Sequence, residues 1–136
     1  IMSEEAFILS VFSNIALVPD GGLSWLLARN IGYSKALEFA IEAKKIGAQE
    51  CLQLGIANKV CSPENLESET QKWAQAISMR SPQAVSNTKK IMRDSLEKKF
   101  IQTYEDEANT QNSILGNDEF KEGVAAFFEK RKPVFK

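Results

Sequence analysis

The tetrapeptide Pro19-Asp20-Gly21-Gly22 constrains this chain more than any other stretch. A proline without an N–H, followed closely by two glycines free to take positive φ, continues neither a strand nor a helix. The chain must turn there. Residues 6–18 (AFILSVFSNIALV) are rich in β-branched and aromatic side chains, with too few polar positions for an amphipathic helix. They are predicted to form a buried extended segment or short strands. After the turn, Leu23, Trp25, Leu26, Leu27 and Ile31 recur at helical spacing up to Gly32, a natural C-terminal stop. The turn carries Asp20, the only acid between Glu5 and Glu38.

Further along, punctuation marks out more helices. Ser34 is the candidate N-cap of a second one, with Ala36, Leu37, Phe39, Ala40 and Ile41 as a largely buried face. A short helix is expected over 48–54, ending at Gly55, and a short strand over 56–61. Ser62-Pro63 and Ser81-Pro82 each set a capping hydroxyl before a proline at the first helical position, where its missing N–H costs nothing. They open helices over 63–79 (Leu66, Trp73, Ala76 and Ile77 inward) and 82–95. A longer helix covers 97–115, with Phe100, Ile101, Tyr104, Ala108 and Ile114 on one stripe. Asn117 caps a last helix over 118–131. No internal repeat appears. Trp25 and Trp73 are most simply core residues, and Cys51, with no basic neighbour to activate it, reads as an inert buried thiol.

Composition excludes several chemistries. With 136 residues, 43% of them hydrophobic, the chain is long enough for a core without disulfide or metal staples. It has no histidine and only two cysteines, so neither a zinc or haem site nor a histidine-dependent triad is expected. Two free thiols point to a reducing compartment, and the expected location is the cytoplasm. With 17 Lys+Arg against 18 Asp+Glu and no dense basic stripe, no nucleic-acid surface is expected. The apolar runs are too short for a membrane span.

Asp20 has two readings on these grounds. An aspartate before a helix is a routine N-cap. A carboxylate held at an apolar, glycine-lined turn is also a usable proton-transfer group.

A series of motifs bears on that choice. In order they are Ala16-Leu17-Val18-Pro19-Asp20-Gly21-Gly22, Leu27-Ala28-Arg29-Asn30-Ile31-Gly32, Ala36-Leu37-Glu38, and Ile46-Gly47-Ala48-Gln49-Glu50-Cys51 with Leu54-Gly55-Ile56-Ala57-Asn58-Lys59-Val60. Ser81-Pro82-Gln83-Ala84 with Lys89 follows, then Asp118-Glu119-Phe120-Lys121-Glu122-Gly123 and Ala126 to Phe135 (AFFEKRKPVF). Taken together they resemble the second half of the enoyl-CoA hydratase/isomerase (crotonase) family.

The resemblance implies an α/β crotonase (ClpP/crotonase-like) fold, of which this chain is the mostly helical part with a few short strands near residues 5–17 and 56–61. Residues 1–61 would complete the spiral core, and 62–136 would form the C-terminal helical trimerisation region. It also implies chemistry. Such enzymes bind acyl-CoA thioesters and stabilise an enolate with two backbone N–H groups, while carboxylates move the protons. Hydratases place a second glutamate at the position matched here by Phe12, which cannot hold water. Enoyl-CoA isomerases carry an acid at the position of Asp20, and one carboxylate suffices to shift a proton from C2 to C4.

By the same resemblance Phe12, Pro19, Gly21, Gly22 and Trp25 lie beside the substrate. Phe127, Lys130 and Lys136 would contact CoA, although a basic helix end also simply complements the helix dipole. CoA enters as part of the substrate, with no separate cofactor and no metal. The implied partners are an acyl-CoA and further copies of the chain, and no membrane. Family members are roughly twice this long, so the chain is expected to be a fragment, inactive alone for want of the oxyanion donors. A hydratase or ring-type acyl-CoA isomerase is the alternative enzyme, and a non-catalytic helical assembly or CoA-binding module the alternative of another class.

Overall fold

The computed structural model describes residues 1–135. They group into two compact units, Ile1–Gln71 and Lys72 onward, divided inside a helix; the boundary after residue 61 that the resemblance implies falls within the first unit.

The first unit starts with β1 (Met2–Ser3) and β2 (Phe7–Leu9), followed by a 3-10 turn, Phe12–Ile15. Helices α1 (Leu23–Ile31) and α2 (Tyr33–Glu42) come next, then β3 (Lys45–Gly47), α3 (Ala48–Gln53) and β4 (Val60–Cys61). β1 pairs parallel with β4, Met2 opposite Val60, and β2 pairs antiparallel with β3, Ile8 opposite Ile46. The core gathers Leu27, Ala36, Phe39, Ile46, Cys51 and Ala57, with Ile8, Leu23 and Val60 packed against it. Cys51 is completely buried, its S–H directed at the Ile46 carbonyl 3.6 Å away. Burial, with the Glu50 charge adding, pushes its thiol pKa up, in keeping with an inert structural cysteine.

Several expectations are corrected here. The segment 6–18 is extended only at Phe7–Leu9, because Ser13 and Asn14 favour a turn and the Ser13 hydroxyl anchors it to the Ile41 carbonyl at 2.9 Å. The α2 cap is Gly32, not Ser34. Its φ of 80° lets one residue end α1 and begin α2. The strand expected over 56–61 shrinks to Val60–Cys61, since the Ile56 and Ala57 amides both return to the Cys51 carbonyl, at 2.9 and 3.0 Å, to close α3.

α4 (Leu66–Ser78) runs across the division between the units. Pro63–Asn65 ahead of it is a 3-10 turn, and the Ser62 hydroxyl accepts from the Asn65 side chain instead of capping the helix. The second unit contains α5 (Pro82–Ser95), α6 (Phe100–Ile114) and α7 (Asp118–Phe128). Two caps stand as expected: the Ser81 hydroxyl accepts from the Ala84 amide at 2.9 Å, and Asn117 Oδ1 from the Phe120 amide at 2.7 Å. α6 starts later than expected, since residues 96–98 close short turns back to Arg93, Asp94 and Ser95. α7 ends earlier, at Phe128.

Apolar residues expected inside are exposed. Trp73, Ile77, Ile101 and Tyr104 are all open to solvent, and Phe100 is 84% exposed. Among the described residues beyond Gln71 only Ala126 is fully buried.

Candidate active site

The Asp20 turn is built by backbone geometry. Ala16 takes the left-handed conformation (φ 58°) to end the 3-10 turn, with the Leu17 amide returning to the Phe12 carbonyl at 2.9 Å. Leu17 to Pro19 then run to Gly21 (φ 59°) and Gly22 (φ 85°), the N-cap of α1. The Asp20 carbonyl accepts from the Leu23 amide at 2.9 Å. Its side chain caps nothing: α1 has no side-chain cap bond, and Asp20 is exposed with no partner among the described residues. Of the two readings of Asp20, the capping one is corrected, because Gly22 occupies the cap position and leaves the carboxylate free.

Beside the turn an open groove of about 360 Å³ runs between the 3-10 segment, α1 and α2, lined by Leu17, Val18, Pro19, Leu23, Leu27 and Leu37 among others. Its lining is almost wholly apolar and carries no charged residue. Pro19 is the only one of the six candidate residues on it; Phe12 is half-buried nearby in sequence, and Gly21 and Gly22 are exposed. Trp25 is not core: it is 36% exposed, and its ring is covered by the Arg29 guanidinium, 3.8 Å from the ring centroid. Arg29 was not singled out from sequence, although its spacing of four from a tryptophan on one helix was a usable signal. Nor was Ser10, whose buried hydroxyl has no hydrogen-bond partner among the described residues.

In the second unit Phe127 and Phe128 are 79% and 77% exposed and stand edge to face, 5.7 Å between centroids. Lys130 follows in a left-handed turn (φ 54°). Lys136 lies outside the described residues. Between them, Arg131 does not belong with the free cations. Its guanidinium grips Glu122 through two bonds of 2.6 and 2.8 Å and Glu129 through one of 2.5 Å. The Arg131 bonds, helped by the Val134 amide, lower the Glu122 carboxyl from 4.5 to about 2. At the other end of α7, Glu119 receives the Ser81 hydroxyl and the Gln83 amide, so its carboxylate sits at the N-terminus of α5. Among the described residues no three His, Cys, Asp or Glu side chains gather to hold a metal, and no helix is long and apolar enough to cross a membrane.

The family profile described as enoyl-CoA hydratase/isomerase matches residues 1–136. The chain is 36% identical to the trans-2-decenoyl-(acyl-carrier-protein) isomerase of Streptococcus mutans, over 99% of the chain and 51% of that protein. It is 30% identical to a probable enoyl-CoA hydratase of Rhodobacter capsulatus, over 99% of the chain and 52% of that protein. Among solved structures, an enoyl-CoA hydratase from Polaromonas sp. JS666 is similar with a TM-score of 0.94 at 30% identity, covering 98% of this chain and 52% of that one. The chain thus spans about half the length of the curated relatives it matches.

Proposed function

The chain belongs to the enoyl-CoA hydratase/isomerase family and has its crotonase fold, and from that premise we propose that it is the part of an enoyl thioester isomerase that supplies the proton-transfer carboxylate. Asp20 would remove a proton from C2 of a 3-enoyl thioester and return it to C4 of the dienolate, moving the double bond into conjugation. The acidity at C2 comes from polarising the thioester carbonyl with backbone N–H donors, which the resemblance assigns to the half of the relatives that this chain does not span. Phe127 and Lys130 would meet the CoA moiety, an exposed ring and a cation with no carboxylate partner among the described residues, suited to an adenine and a phosphate.

The observation that carries this reading is the state of Asp20: a carboxylate exposed at a glycine turn, released from helix capping, beside an uncharged apolar groove. Phe12, at the position matched to the second hydratase glutamate, supports isomerisation over hydration. The S. mutans relative is named an isomerase, which supports the same choice. The hydratase alternative keeps its support from the names of the R. capsulatus and Polaromonas proteins. The assembly alternative is supported by the exposed Phe100 and Tyr104 rings on α6, stacked at 6.3 Å.

In a protein that carries both halves of the fold, conversion of 3-decenoyl-CoA to 2-decenoyl-CoA with and without Asp20→Asn tests the proposal. Loss of a general base should lower the rate about 10²- to 10⁴-fold. Equal rates would remove Asp20 from the chemistry, and formation of 3-hydroxydecanoyl-CoA would favour the hydratase.

A further inference from the structure

We propose that Glu122 is a positioning residue: through Arg131 and the Val134 amide it fixes the segment that carries Lys130, and thereby sets how tightly the phosphate-bearing end of a CoA thioester is held. This rests on the reading above that Lys130 meets that end of the substrate.

The geometry is that of a latch. α7 stops at Phe128, and Lys130 reverses the chain in its left-handed turn, with its amide directed at the Phe127 carbonyl (3.3 Å) and that of Arg131 at the Ala126 carbonyl (3.0 Å). The reversed segment then folds back on its own helix. Glu122 Oε1 accepts from Arg131 Nη1 at 2.6 Å and from the Val134 amide at 2.7 Å, while Oε2 accepts from Arg131 Nη2 at 2.8 Å. One carboxylate therefore holds a side chain and a backbone group of the same segment, on either side of Pro133. The Phe135 ring passes over Gly123, where a Cβ would come within 3.9 Å of it. Arg131 also bonds Glu129 and the Lys132 carbonyl, so most of its donors are in use.

The consequence is a division of labour among adjacent cations. Arg131 has two carboxylates and serves structure, while Lys130 and Lys132 have no carboxylate partner among the described residues. A lysine ammonium on a flexible stem binds a phosphate weakly unless its backbone is already in place, since the ordering cost then falls on binding. Here the latch holds that backbone in place beforehand.

A double-mutant cycle on the purified protein, with decanoyl-CoA and decanoyl-pantetheine as probes, tests this. Glu122→Ala and Lys130→Ala should each weaken decanoyl-CoA binding about fivefold, and the double variant no more than the weaker single, because both act through one contact. Decanoyl-pantetheine, which lacks the nucleotide, should bind all of them equally. Glu122→Gln, which keeps an oxygen for the Val134 amide but loses the ion pair, should fall between wild type and Glu122→Ala, and it carries the test if Glu122→Ala does not fold. Unchanged CoA affinity in the Glu122 variants, additive losses, or equal losses with both probes would each overturn the positioning role. A wild type that binds the two probes alike would refute the reading of Lys130 itself, and the proposal with it, a result distinguishable because it needs no variant.

Discussion

Asp20→Ala separates the two roles open to the carboxylate at the helix entrance. Were Asp20 the N-cap of α1, its loss would cost about 1 kcal/mol, within a range of about 0.5–2. In the structure the cap is Gly22, no side chain bonds the first turn, and Asp20 contributes only its carbonyl to the Leu23 amide at 2.9 Å, which alanine retains. The expected loss is therefore below about 0.5 kcal/mol, that of an ordinary surface substitution. Gly22→Ala provides the scale. A Cβ there meets nothing within 4 Å, so its cost is backbone strain alone, about 1–2 kcal/mol for an L-residue held at φ 85°. Urea unfolding followed by Trp25 fluorescence, in a Trp73→Phe background, reports on the first unit because Trp25 sits on α1 beneath Arg29. With m of about 2 kcal/mol/M, Gly22→Ala should lower the midpoint by about 0.5–1 M and Asp20→Ala by less than about 0.25 M. An Asp20→Ala midpoint as low as that of Gly22→Ala, at unchanged m, would refute the argument that the carboxylate is free.

Phe39→Ala should destabilise the first unit by about 4 kcal/mol, because Phe39 is the one aromatic ring in the buried cluster and its removal leaves a cavity there; a loss under about 1 kcal/mol in the same unfolding assay would contradict that. Cys51 should resist iodoacetamide in the native protein and react once unfolded, read by peptide mass, whereas labelling at the rate of the partly exposed Cys61 would show that α3 opens readily. Glu122 titrates at about 2 when folded against 4.5 ordinarily, so the folded state binds its proton more weakly. Its contribution to stability is then complete above about 4.5 and is lost as pH falls through about 2. The Glu122 carboxyl followed by NMR should show that low midpoint, and a midpoint near 4.5 would mean the Arg131 pair does not form in solution.

What the sequence disclosed is what local chemistry decides. Gly32 ends α1, and Ser81 and Asn117 cap their helices, each through contacts within a few residues. β3 was not legible, since Lys45–Gly47 is a strand only because Phe7–Leu9 lies beside it. The inward faces expected on α4 and α6 failed for a related reason. Periodicity reports which side of a helix is apolar, but whether that side is covered depends on a neighbour, and among the described residues Trp73 and Phe100 stand exposed. At the site, the turn and its aspartate were legible, while the Glu122–Arg131 pair was not, being nine residues apart across a helix end.

The glycine pair explains why an acid at a helix entrance stays available for chemistry. A carboxylate just ahead of a helix is ordinarily drawn into capping, since the first amides lack partners and the helix dipole attracts it. Two successive positive-φ residues turn the backbone so that the carbonyl of Asp20, and not its side chain, reaches Leu23. Both glycines have open space where a Cβ would stand, so neither is there to let another group approach closely. The requirement is conformational, and it should be met in part by another residue tolerant of that region. Gly22→Asn, which enters the left-handed region at lower cost than alanine, should therefore recover part of the stability lost in Gly22→Ala and keep Asp20 uncapped. If asparagine were no better than alanine in urea, the glycine would be serving a contact absent from this turn, and the conformational account of the free carboxylate would fail.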